Sequence, residues 1–145
     1  MQLRFENMLN REVWIQLVDF GLLVFIWTIQ LAVYPSFRYF SSDSLLKWHG
    51  TYTGAVSIIV MPLMITQIIL HTWRVYDSFS VSNLLLLVLV VGTWAVTFVV
   101  FVPLHHKVSL GHELTESLTC LVSYNWIRTA LWSLVFLMGV FIGHK

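Results

Sequence analysis

The residues that could do chemistry in this 145-residue chain crowd into one stretch, "VPLHHKVSLGHELTESLTCLVSYNWIRTALW", residues 102–132. It holds three histidines, two glutamates, an asparagine and an arginine. Neutral imidazole binds zinc, copper and iron, and nearby carboxylates can complete a shell. His49, His105, His106, His112 and Glu116 are therefore the candidate metal ligands, with His49 and His105 the pair that could hold a transition metal such as iron or copper, or clamp a haem iron. No two histidines have the i, i+4 spacing of a strong helical metal motif, and the adjacent His105 and His106 must point in different directions, so only one of them faces inward. Arg128 is the most informative residue. A guanidinium within a membrane span costs at least about 2.5–3.5 kcal/mol and cannot shed its charge, so something must offset it. Tyr124, a snorkelling contact to Glu116, a cation–π contact with Trp132 and an anionic ligand are the candidates. The plainer alternative is an arginine reaching outward to lipid headgroups. As catalytic groups, Arg128 would stabilise developing negative charge and Asn125 would orient a substrate.

These residues have a membrane for a solvent. The chain is 58% apolar and 10% charged, with a mean hydropathy of +0.80, more apolar surface than a soluble domain could hide. Its net charge of +1 is scattered, which gives no footprint for nucleic acid. A single cysteine, Cys120, excludes an internal disulfide and any cysteine-based zinc motif, and its apolar neighbours mark it as a small hydrophobe. The opening "MQLRFENMLNREVW" has glutamates where a cleavable signal needs a basic flank, so the amino terminus reads as retained.

Crossing about 30 Å of hydrocarbon takes roughly 20 apolar residues in a helix. Four stretches qualify, at about residues 14–34, 47–71, 84–102 and 119–142, which predicts an all-α, up-down-up-down four-helix bundle in a single domain. Pro35 and Pro103 are expected to end the first and third spans, and Pro62 to bend the second. Trp14, Tyr34, Trp48 and Trp73 suit the interfacial aromatic belts. Both termini fall on one side, A, with Arg4, Arg11, Arg74 and Lys145. Side B carries Arg38, Lys47 and Lys107, and this small imbalance points to cytoplasmic termini.

Counting depth at 1.5 Å per residue sorts the polar groups into two layers. Near side A, Asp19 shares its depth with Gln67, and His71 lies one turn further out, which makes those two its expected partners. Towards side B, His49, the three loop histidines, Asn125, Arg128 and Gln30 could converge on one pocket mouth. His144, beside the terminal lysine, reads as an end-of-chain residue.

The segments "VPLHHKVSLG" and "LVSYNWIRTALW", with a weaker echo in "WHGTY" and "IVMPLM", resemble the anthrone-oxygenase-like family of small four-helix bacterial membrane proteins. The likeness rests on Pro103, His105, Asn125, Trp126, Arg128 and Thr129 and covers roughly half the chain. The resemblance implies a four-helix bundle and, for members with an assigned role, oxidation of a phenolic anthrone to a quinone by molecular oxygen. Three readings follow. One is a membrane redox enzyme, metal- or haem-dependent, acting on a lipophilic molecule that enters between helices. Another is a non-catalytic accessory subunit of a larger membrane complex, or a homo-oligomer, whose polar layers glue helices together. The third, a proton path from Asp19 to Arg128, meets a gap of Leu, Val and Phe between the two layers. The redox reading best explains histidines from three segments gathering on one side.

Overall fold

A computed structural model describes the backbone of residues 2–143 and the side chains of residues 11–142. Arg4, His144 and Lys145 lie outside the described side chains. Within these limits the chain is all helix and turn, with four helices long and apolar enough to cross a membrane: Arg11–Tyr39, Ser42–Asp77, Val81–Ser109 and Leu114–Ile142. We label them α1 to α4. The connections are only two to four residues long, which makes each helix antiparallel to the one before it. Each helix packs on its neighbours in sequence, and α1 closes the ring against α4.

The helices run longer than their apolar stretches because polar ends pair with each other. At side A, Arg11 Nη1 donates to Asp77 (2.6 Å) and Arg74 Nη2 to Glu12 (3.0 Å), so two arginines expected as flanking charges are buried ion-pair members. Ser80 caps α3 by accepting from the Asn83 amide, and Gly111, at φ +69°, makes the tight turn into α4.

Neither Pro35 nor Pro103 ends its helix. Each is preceded by a π-helical turn, Ile29–Val33 and Thr97–Phe101, where Tyr34 N–H donates to the Ile29 carbonyl and Val102 N–H to the Thr97 carbonyl. Proline lacks an amide hydrogen and clashes with the carbonyl four residues back, and a widened turn relieves that clash while keeping the axis. One extra residue in a turn also rotates everything beyond it by about 100°. That rotation aims Tyr34 and His105 inward. α2 continues unbroken through Pro62.

The outside of the ring is apolar: Trp14, Leu17, Val24 and Leu31 on α1, Ile58 and Ile69 on α2, Val88 and Val99 on α3, and Leu137 on α4 are all exposed. The inside holds Asp19, Gln30, His49, Gln67, His71, Asn125, Arg128 and Thr129 alongside Leu22, Ile26, Met64 and Trp132. Oil outside and hydrogen-bonded polarity inside is the arrangement that lipid favours, since hydrocarbon cannot satisfy a donor. The chain is an integral membrane four-helix bundle.

Candidate functional site

Arg128 stands at the midpoint of α4, about 21 Å from either end, deeper than a start near residue 119 implied. Its side chain is only 8% exposed, so it does not reach the lipid headgroups. Tyr124 is exposed and Glu116 lies on the surface, which removes both as partners. Instead Nε donates to Asn125 Oδ1 (2.9 Å) and Nη2 to the Tyr34 hydroxyl (3.4 Å). The guanidinium carbon lies 3.8 Å from the Phe101 ring centroid and 5.8 Å from that of Trp132. The Trp132 contact was expected; Tyr34 and Phe101 were not. Desolvated cation–π contacts contribute about 2 kcal/mol, which leaves part of the insertion cost to the hydrogen bonds.

Asn125 is fully buried and does not face open space. It donates through Nδ2 to Gln30 Oε1 (2.8 Å), whose own amide donates to the Val122 carbonyl (3.3 Å). The expected substrate-orienting role therefore becomes a positioning role: Asn125 fixes the guanidinium from beneath, braced by Gln30 across the helix interface.

From Arg128 a chain of hydrogen bonds runs towards side B, and one assignment of its protons satisfies every link. Arginine only donates, so the Tyr34 oxygen accepts and its own hydrogen is free for His105 Nε2, 3.0 Å away. His105 then carries its proton on Nδ1 and donates to His49 Nε2 (2.9 Å). His49 in turn donates through Nδ1 to Ser109 Oγ (3.3 Å), which donates back to the His105 carbonyl (2.9 Å). In this assignment every link has one donor and one acceptor, with both imidazoles neutral. His49 is fully buried, with Phe37 and Tyr52 rings packed around it.

The expected pairing of His49 with His105 is present, as is the divergence of His105 from its neighbour: His106 is exposed. His112 and Glu116 are exposed as well, and Glu113 pairs with Lys107 at the surface (3.5 Å). A ligand cluster of five is thus reduced to two. Among the described residues no three His, Cys, Asp or Glu side chains gather to hold a metal ion. Each imidazole lone pair is already occupied, that of His105 by Tyr34 and that of His49 by His105. The facing nitrogens, 2.9 Å apart, are also too close to sit on opposite faces of one iron, which at about 2.0 Å per bond needs about 4 Å. As arranged here, the facing nitrogens of His49 and His105 do not fit a haem clamp.

Beside this chain lies a cavity of about 210 Å³. Tyr34, Tyr52, His105 and Arg128 form its polar end, and Phe25, Ile29, Val60 and Met64 are among its apolar walls. Its rim contains Ser57 of α2 and Phe98 and Val102 of α3, all exposed, so it opens sideways between these two helices into the hydrocarbon.

The side A layer matches expectation. Gln67 Nε2 donates to Asp19 Oδ1 (2.7 Å), and His71 Nε2 lies 3.1 Å from Asp19 Oδ2. The presumed gap between the layers is bridged by Trp132, whose indole N–H donates to Gln67 Oε1 (3.2 Å) while its ring faces Arg128. An indole does not relay protons, so this link is structural and the proton-path reading gains no wire.

Sequence reasoning missed Tyr34, taken as an interfacial belt residue, along with Tyr52, Phe101 and Ser109. The sequence offered only the Tyr-Pro pair at 34–35 as a signal; the π turn before it, of a kind frequent at functional sites, is visible only in the structure. Comparisons with family models, with curated proteins and with solved structures find no match for this chain.

Proposed function

We propose that the protein is a membrane enzyme that takes a lipophilic molecule from the bilayer through the gap between α2 and α3 and oxidises it. The observation carrying this reading is the cavity open to hydrocarbon on one side and ending on Tyr34, His105 and Arg128 at the other. An apolar pocket with a few convergent polar groups is the usual form of a small-molecule site. The resemblance to the anthrone-oxygenase-like family supplies the reaction class: a phenolic anthrone gains one oxygen atom from O2, its methylene becomes a carbonyl, and the second oxygen atom leaves as water. In this reading the Tyr34 oxygen takes a proton from the substrate as Tyr34 passes its own to His105, and Arg128 stabilises the negative charge left on the substrate oxygen.

The test uses purified protein in lipid nanodiscs supplied with an anthrone and oxygen. Quinone absorbance should rise together with oxygen uptake, and His105→Ala and Arg128→Gln should each lower the rate by at least tenfold. Rates in both variants equal to wild type would end the assignment. The alternative reading, a non-catalytic subunit of a larger membrane complex or a homo-oligomer, draws on the broad apolar outer surface, which contact with lipid accounts for equally. The proposed orientation, with termini on the cytoplasmic side, rests on loop charges, and the proposed bacterial inner membrane on the family resemblance.

A further inference from the structure

Three arginines are buried among the described side chains, and they are treated differently. Arg11 has Asp77 and Arg74 has Glu12, each within 3.0 Å. Arg128, the one at mid-helix, has no carboxylate within 4.0 Å among the described residues. The oxygens it does reach, Asn125 Oδ1 and the Tyr34 hydroxyl, are neutral, and the rings of Phe101 and Trp132 offer only their faces. Asp19 is committed to Gln67 and His71 in the other layer.

Guanidinium has five N–H donors, and only those on Nε and one on Nη2 are used here. Nη1 has no protein acceptor, yet it is not sealed within the packing as the unpartnered Arg74 Nη1 is. Arg128 lines the cavity with donors of its guanidinium still unused. A buried cation without a counter-charge, lining a cavity, is half of an ion pair.

We infer that the cavity takes its ligand as an oxyanion: a free amphiphile with one ionised oxygen head, a carboxylate or a phenolate, whose charge balances Arg128. The inference rests on the reading of this cavity as the site for a lipophilic molecule, and adds the charge state of the head. Size limits the occupant, because about 210 Å³ is the liquid volume of about seven waters. It accommodates a head and the first part of a tail, with the remainder lying in the gap beside Ser57 and Phe98. A phospholipid fits less well, since its bulky headgroup and two tails exceed a cavity of about 210 Å³.

The experiment presents a brominated fatty acid and its methyl ester in phosphatidylcholine nanodiscs to full-length protein whose other six tryptophans are replaced by phenylalanine, and follows quenching of Trp132, which is in the cavity wall. The acid should quench at no more than one-tenth the concentration needed for the ester, Arg128→Gln should erase that difference, and Arg128→Lys should keep part of it. Equal quenching by acid and ester with Arg128 intact would overturn the inference and leave the cavity reading standing. No quenching by either would remove both. If replacing the lipid with phosphatidylglycerol abolishes the acid's advantage, the occupant is a lipid headgroup and the free amphiphile is ruled out. The comparison with Arg128 intact decides the matter even where an Arg128 variant fails to fold.

Discussion

The Nδ1 of His105 lies 2.9 Å from the Nε2 of His49, and the two residues are 56 positions apart in the chain. Ser109 closes a ring around them, accepting from His49 and donating to the His105 carbonyl, so neither imidazole can rotate without breaking two bonds. Such a pair is held by the fold and also available to it: one edge meets the cavity through Tyr34, the other the turn at Ser109.

Removing one member strands the other. His49→Ala leaves the Nδ1–H of His105 without an acceptor in a water-poor interior, which should cost about 1–3 kcal/mol. His49→Gln, whose amide oxygen can accept, should recover part of it. His106→Ala and His112→Ala, at exposed positions, should stay within about 0.5 kcal/mol of wild type. Denaturant unfolding in mixed micelles measures all four. A His106→Ala loss as large as that of His49→Ala would mean the wrong histidine has been placed inside.

Asn125 offers a way to change the charge at Arg128 without removing the arginine. Asn125→Asp puts a carboxylate where Oδ1 now accepts from Nε, at 2.9 Å. The internal counter-ion should then cut the preference for the acid over its ester by at least fivefold in the quenching assay. A preference unchanged in this variant would separate Arg128 from ligand binding.

The rim of the cavity is a place to block it. Ser57 is exposed, and its hydroxyl is spent on the Thr53 carbonyl (2.7 Å). Ser57→Trp should fill the gap between α2 and α3 and abolish quenching and turnover, with little loss of stability because the new ring lies against lipid. Full activity in this variant would place the entrance elsewhere.

The prolines predict a rotation. Pro103→Ala removes the clash that the Thr97–Phe101 π turn relieves, so the turn can tighten to α geometry and swing His105 away by about 100°. Helix content by circular dichroism should be unchanged while activity falls at least tenfold. Retention of full activity would show that the π turn is held by packing and not by the proline.

In the side A layer, Asp19→Leu deprives Gln67 and His71 of their shared acceptor. Two buried groups left unpaired should cost about 2–6 kcal/mol, whereas Asp19→Asn, which keeps one acceptor oxygen, should cost less. Unfolding in mixed micelles separates the two, and equal losses would argue that the carboxylate charge itself is needed.

How far the site could be read from the chain depended on whether depth alone determined a contact. Asp19, Gln67 and His71 were legible because regular helices place residues at countable heights, and only three polar groups shared that height. His49 with His105, and Asn125 with Gln30, were likewise legible as layer-mates. Tyr34 was not, because its position looked like the end of a span, and an aromatic residue there has a ready interfacial explanation. His112 and Glu116 were grouped with the site because they face the same membrane surface, but they stay exposed in and just after the turn into α4, while His49 lies about 10 Å inside α2.

The amino-acid order by itself determined that the chain dwells in lipid, that it crosses four times, and that its polar groups form two layers, since hydropathy and helical rise are local properties. Only the tertiary structure decided which members of a layer touch. Contact depends on the rotation of each helix about its axis, and here two π turns reset that rotation by one residue each, bringing Tyr34 and His105 onto the inner face above an arginine whose partners come from three different helices.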